Sequence, residues 1–193
     1  HHPARNRLRD VGAVVVFDER QWAGAWQPVR PDTASHAGNG RVGAERTGAR
    51  VGERFPDLAF VNAEGRRSHV GALRGKTVVV HLWGAWCPPC RQEMPELAEL
   101  HATMQSDPRV AFVILQVREP IAVSRRWAAE RGVRLPLADS GTDADESRLR
   151  RADDKRIEDR ELADVFPSTW VLDARGRVVF AQRGPLHGWP AYV

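Results

Sequence analysis

The sequence predicts an α/β domain: a mixed central sheet flanked by helices, with an N-terminal hairpin and an extra N-terminal segment. Three observations lead there. Two apolar runs rich in β-branched residues, 77–83 and 110–117, have the composition of buried strands. Each is followed by apolar residues at helical spacing: Met94, Leu97 and Leu100 after the first, Ile121, Trp127 and Ala128 after the second. Later, residues 168–172 and 177–181 flank Asp173-Ala174-Arg175-Gly176, the pattern of an antiparallel hairpin. Strand, helix, strand, helix and hairpin in that order make a sheet of mixed direction with helices on its faces.

Taken in order, the chain divides at residue 50. Residues 1–50 read as an extension and linker, and 51–193 as the main domain. Within the extension, residues 11–17 suit a strand, and Trp22 and Trp26 suggest a piece that docks on the domain or, as the second reading, marks a partner-binding surface. From Pro31 to Val51 the mix of Gly, Ala, Ser, Arg and Thr lacks hydrophobic periodicity and reads as exposed linker. A small hairpin is expected over 58–70 with its turn at Asn62-Ala63-Glu64-Gly65, then a helical turn closing at Gly75. Pro95 falls inside the first long helix, where a kink is expected. Gly132 is the stop signal of the second, and a brief strand follows at 135–138. The charge-dense stretch 139–164 reads as a solvated loop, with room for a second small hairpin around 152–157 and a helical segment over 159–166.

Composition narrows the function. A chain of 193 residues with 42% hydrophobic and 28% charged residues is a globular protein of one ordinary domain plus an extra segment. The net charge of +4 comes largely from dispersed arginines, without a dense basic block or interleaved aromatics. That argues against nucleic acid and leaves room for an acidic partner. No apolar run approaches the ~18 residues of a membrane span.

The two cysteines are the only ones in the chain, and they stand in Trp86-Cys87-Pro88-Pro89-Cys90, between the first strand and its helix. A C-x-x-C at a strand-to-helix turn is the pattern of a thiol–disulfide redox site. Cys87 falls at the helix N-cap, where unpaired N–H groups and the helix dipole favour a thiolate. Its pKa is expected to fall from about 8.5 into the roughly 3.5–7.5 range. Pro88 and Pro89 suit the first turn, since the N–H they lack has no partner there anyway. Cys90, one turn further in, is the shielded member. Cys87 is thus expected to attack a partner's disulfide and Cys90 to resolve the mixed disulfide. A structural bridge or a metal site are the other readings. The first gains little from closing so short a loop, and zinc lacks further ligands. The expectation is therefore no metal, and no cofactor beyond a redox-active Cys87–Cys90 disulfide. His69, His81, His101 and His187 are scattered singly and read as structural or surface residues.

The run Val79-Val80-His81-Leu82-Trp83-Gly84-Ala85-Trp86-Cys87-Pro88-Pro89-Cys90-Arg91-Gln92-Glu93-Met94-Pro95 resembles the active-site stretch of the TlpA/ResA-like branch of the thioredoxin superfamily. Phe55-Pro56-Asp57-Leu58, Leu73-Arg74-Gly75-Lys76 and Phe166-Pro167-Ser168-Thr169-Trp170 extend the resemblance over about residues 51–186. It implies a thioredoxin fold and thiol–disulfide exchange with protein partners, more often as a reductase serving cytochrome c or copper-site maturation. It also implies an extracytoplasmic setting, bacterial periplasm or a membrane-anchored form facing it, and a thiol electron donor that can be membrane-bound. Pro167 matches the family's cis-proline, an affordable isomer for an X–Pro bond. Together with Phe166, Trp86, Pro88 and Pro89 it would form the substrate-binding rim. Glu93 matches a family acid beneath the cysteines, suited to shuttling the proton of Cys90. The plainer reading of Glu93 is a solvent-facing residue that favours the helix dipole. His81 occupies the position of the buried aspartate of ordinary thioredoxins, which leaves Glu93 as the lone acid. Three other functions compete: a copper-binding assembly module using the cysteine pair, a peroxiredoxin-like peroxidase, and a non-catalytic interaction domain that keeps a vestigial fold.

Overall fold

A computed structural model describes residues 46–188. The expectations for residues 11–17, Trp22 and Trp26 lie outside the described residues.

A five-stranded sheet forms the centre, in the order β5-β4-β3-β8-β9. Its middle strand β3 (Thr77–Trp83) runs parallel to β4 (Val110–Gln116) and antiparallel to β8 (Ser168–Leu172). The short β5 (Leu137–Ala138) lies parallel to β4, and β9 (Val178–Arg183) pairs with β8 as the predicted hairpin. This is the mixed sheet of a thioredoxin fold. β3 is buried on both faces from Val78 to Trp83, which explains a run of apolar residues without alternation.

Helices α1 (Pro88–Met104) and α2 (Ile121–Glu130) connect β3 to β4 and β4 to β5. Both crossovers step the same way across the sheet, so the right-handed rule puts both helices on one face. Val79, His81 and Trp83 point to that face by the strand's period of two. Trp83 meets Trp127 of α2 edge-on there, with ring centroids 5.5 Å apart. On the opposite face Trp170, the register partner of Val80, packs against Phe55. α1 buries Cys90, Glu93, Met94, Leu97, Leu100 and Met104, a stripe at three- and four-residue spacing. It continues through Pro95, which is exposed on its outer side.

The N-terminal hairpin is β1 (Ala59–Val61) with β2 (Arg67–His69), closed by Gly65 at φ +79°. A short 3-10 turn, Val70–Leu73, follows. Thr47 bridges Arg54, and the Ala49 carbonyl accepts from Trp170 Nε1 at 2.9 Å. The stretch that reads as the end of a linker is therefore bonded to the sheet.

The charge-dense segment is ordered rather than a simple solvated loop. β6 (Arg148–Arg150) and β7 (Arg156–Glu158) form the second hairpin, with Leu149 buried beneath it. Its turn reaches the first hairpin: Arg151 bridges Leu58, and Ala152 N–H donates to Asp57 O. The helical segment expected over 159–166 is only α3 (Asp159–Leu162), begun by a capping box from Glu158 and Glu161. Ala163 is already extended, and the residue before Pro167 is disfavoured from helix as well.

Candidate active site

The first turn of α1 carries the cysteine pair. Cys87 is its N-cap, with Pro88 and Pro89 as the first two helical residues. Neither proline has an N–H, so the first one the turn offers is that of Cys90, which donates to Cys87 Sγ at 3.3 Å. Cys87 and Cys90 are joined as a disulfide, with Cα atoms 5.3 Å apart. Cys90 is fully enclosed, whereas Cys87 keeps 4% of its surface exposed and is flanked by exposed Pro88 and Pro89. The asymmetry is the one the sequence predicts.

Facing the disulfide is the loop before β8. The Phe166–Pro167 bond is cis, and the Phe166 carbonyl oxygen lies 3.6 Å from Cys87 Sγ. A disulfide sulfur has no proton, so this is a contact; the reduced thiol has a proton to donate along the same line. Trp86 is 45% exposed and stands edge-on to the Phe166 ring at 5.7 Å. Its Nε1 donates to Val117 O at 2.8 Å, which ties the active-site turn to the end of β4. Gly84 makes room for this, since a Cβ there would sit 2.1 Å from Trp86 Nε1. All five residues expected on the rim thus converge around Cys87.

Two buried polar side chains occupy the layer between α1 and the sheet. Glu93 has no exposed surface, which rules out its solvent-facing reading. His81, equally buried, shares a hydrogen bond at 2.9 Å between its Nδ1 and Thr169 Oγ1, two residues after the cis-proline. Burial lowers the His81 pKa from 6.5 to about 3, so the ring is neutral at neutral pH. Its Nε2 has no partner among the described residues.

Sequence reasoning misses four further residues, Glu119, Arg118, Asp159 and Arg160. Glu119, almost fully buried just after β4, accepts from the Ala85 N–H at 2.8 Å and from Ser124 Oγ, so it clasps the active-site turn to α2. Arg118 forks onto the buried Asp159 with bonds of 2.7 and 2.8 Å. The hydrogen bond it donates to Asp159 raises the Arg118 pKa further, and the guanidinium stays charged. Arg118 and Arg160 both approach the Phe166 ring, at 5.8 and 5.5 Å from its centroid. One signal was available: Arg118-Glu119 follows a buried parallel strand directly, and the carboxyl ends of such strands are where sites gather.

The family model described as Redoxin matches residues 50–191. Among curated relatives, the thiol-disulfide oxidoreductase ResA of Geobacillus thermodenitrificans is 29% identical over 134 residues, 69% of this chain and 70% of that protein. The thioredoxin-like protein YneN of Bacillus subtilis is 36% identical over 133 residues, 68% of this chain and 71% of that one. A thiol:disulfide interchange protein of the thioredoxin family from Chlorobium tepidum superposes with a TM-score of 0.50 at 24% identity. That match covers 72% of this chain and 89% of the other, and it speaks for the fold.

Proposed function

Since this chain belongs to the Redoxin family and is a thiol–disulfide oxidoreductase of the ResA type, we propose that Cys87 and Cys90 carry the exchange and that it runs as reduction of protein disulfides. The observation that carries this reading is the disulfide itself, seated at the N-terminus of α1 with Cys87 against the Phe166 carbonyl.

In the reduced protein the Cys87 thiolate attacks one sulfur of a partner's disulfide. The S–S bond breaks, a mixed disulfide forms, and the partner's other sulfur leaves as a thiolate that takes up a proton. Cys90 then loses its proton and attacks Cys87 Sγ. The mixed disulfide breaks, the second partner thiol departs, and the protein is left oxidised, two electrons poorer. A thiol donor returns those electrons. Glu93 fits the role of accepting the Cys90 proton, because it lies one turn on in the same buried stripe. The backbone beside Pro167 is suited to pairing with an extended partner segment, held between Trp86, Phe166 and the two exposed prolines.

Such a reductase belongs outside the cytoplasm, serving cytochrome c or copper-site maturation with a membrane-bound thiol donor. The copper-module alternative finds no group of three His, Cys, Asp or Glu side chains fit to hold a metal among the described residues. The test is a pair of variants assayed by insulin disulfide reduction. Cys87→Ser is expected to abolish the activity, and Cys90→Ser to accumulate partner-linked mixed disulfides. Full activity in both would overturn the assignment.

A further inference from the structure

A groove of about 1010 Å³ runs between α1 and α2, and the thiol chemistry does not use it. It opens at Pro88 and Arg91, beside the disulfide, and continues along the outer side of α1 to Gln105, where the loop after α2 forms its other wall. Trp127 and Val133 give it apolar surface, but its charge is one-sided. Arg91, Arg131 and Arg134 line it against a single acid, Glu99. Arg131 is already held by Glu130 at 3.4 Å and by the Trp127 face at 5.0 Å. Arg91 and Arg134 are exposed, and neither has an acidic partner among the described residues. His101 adds no charge, since burial lowers its pKa.

We infer that this groove receives an acidic segment of the protein whose disulfide is exchanged, lying next to the reacting cysteine. The inference rests on the exchange reading above and names the class of partner. The dimensions agree. From Pro88 to Gln105 the helix advances roughly 25 Å, at about 1.5 Å per residue. An extended strand at roughly 3.3 Å per residue spans that with about eight residues. Carboxylates three to eight residues from the substrate cysteine would then pass Arg91 and reach Arg134. Exposed charges act mostly on encounter rate, so the groove would select partners by association speed.

The test uses the full chain, reduced beforehand, and synthetic peptides with one cysteine capped as a mixed disulfide with 2-mercaptoethanol. A run of five Asp, Asn or Lys begins three residues from the cysteine, on either side of it. The reading is the second-order rate constant for release of 2-mercaptoethanol, which does not depend on the direction of the physiological reaction. The Asp peptide is expected to react about tenfold faster than the Asn peptide at low salt, and the Lys peptide more slowly. Salt at about 0.5 M should erase most of the preference. In Arg131→Glu/Arg134→Glu the Asp-to-Asn ratio should fall to about one or below. Arg66→Glu/Lys155→Glu, with the same charge change outside the groove lining, should keep most of it. Equal rates for the three peptides, a preference that survives the groove variant, or an equal loss in the outlying variant each overturn the groove. If even the Asn peptide fails to react with the reduced chain, the exchange reading itself falls.

Discussion

The active-site turn and the charged segment 139–164 both hold the cis-proline loop in place, by opposite means. The turn does it with an aromatic edge and backbone bonds: Trp86 against Phe166, and Trp86 Nε1 on Val117 O. The charged segment does it with formal charge: Arg118 forked onto Asp159, and Arg118 and Arg160 set against the same Phe166 ring. Beneath the disulfide, the buried His81 is kept neutral. In the charged segment, the buried Asp159 is held in a two-bond fork by the Arg118 guanidinium. The contrast is one of means: aromatic packing and hydrogen bonds to backbone steady the loop on one side, and an arginine–carboxylate pair steadies it on the other.

The comparison breaks most sharply at Arg118. Arg118→Ala leaves Asp159 enclosed without its arginine, a loss of about 3–5 kcal/mol in urea unfolding. Asp159→Ala should cost less, because the partly exposed Arg118 can turn to water. Equal losses would mean that the two ends of the pair are equally solvated, contrary to the burial seen here.

Gly84→Ala probes the uncharged side. The added methyl displaces the Trp86 indole, with an expected cost of about 1–3 kcal/mol. The loss of the Val117 bond should show as a change in tryptophan fluorescence and a slower reaction with disulfide substrates. An unchanged spectrum and rate would show that Trp86 takes no part in holding the turn.

Acid sharpens the difference. The folded His81 pKa lies near 3 and the unfolded value near 6.5, so between those limits the unfolded chain binds the extra proton. The stability that comes from holding His81 neutral is complete above pH 6.5 and is lost as pH falls towards 3, by up to about 1.4 kcal/mol per pH unit. His81→Asn should flatten that part of the stability profile. A wild-type profile already flat from pH 6.5 to 4 would contradict the neutral buried imidazole.

What the sequence made legible follows the same division. The β3–α1 unit, the α2 crossover and the β8–β9 hairpin are all visible, because their apolar periodicity, glycine turns and C-x-x-C are local signals. Cys87 and Cys90 follow from the C-x-x-C at the strand-to-helix turn, whereas Glu93 and Pro167 come only from the resemblance to the TlpA/ResA-like stretch. In the segment 139–164 the hairpin and the start of α3 are legible, but what anchors them is long-range and is not. Arg118 and Asp159 stand 41 residues apart, and nothing in either neighbourhood announces the other. α3 is overestimated for a related reason: local helix preference extends to Phe166, but the chain must straighten to enter β8 through Pro167. Glu119 escapes notice because its partners, Ala85 N–H and Ser124, come from two different places, the active-site turn and α2.

The central claim is that the end of α1 turns Cys87 into a thiolate while Cys90 stays protonated behind it. The direct measurement is the pH dependence of alkylation of the reduced protein by iodoacetamide, with the modified cysteine located by mass spectrometry. The account predicts that Cys87 reacts first, with an inflection clearly below the ordinary thiol value of about 8.5. An inflection at or above that value, or initial modification at Cys90, would contradict it.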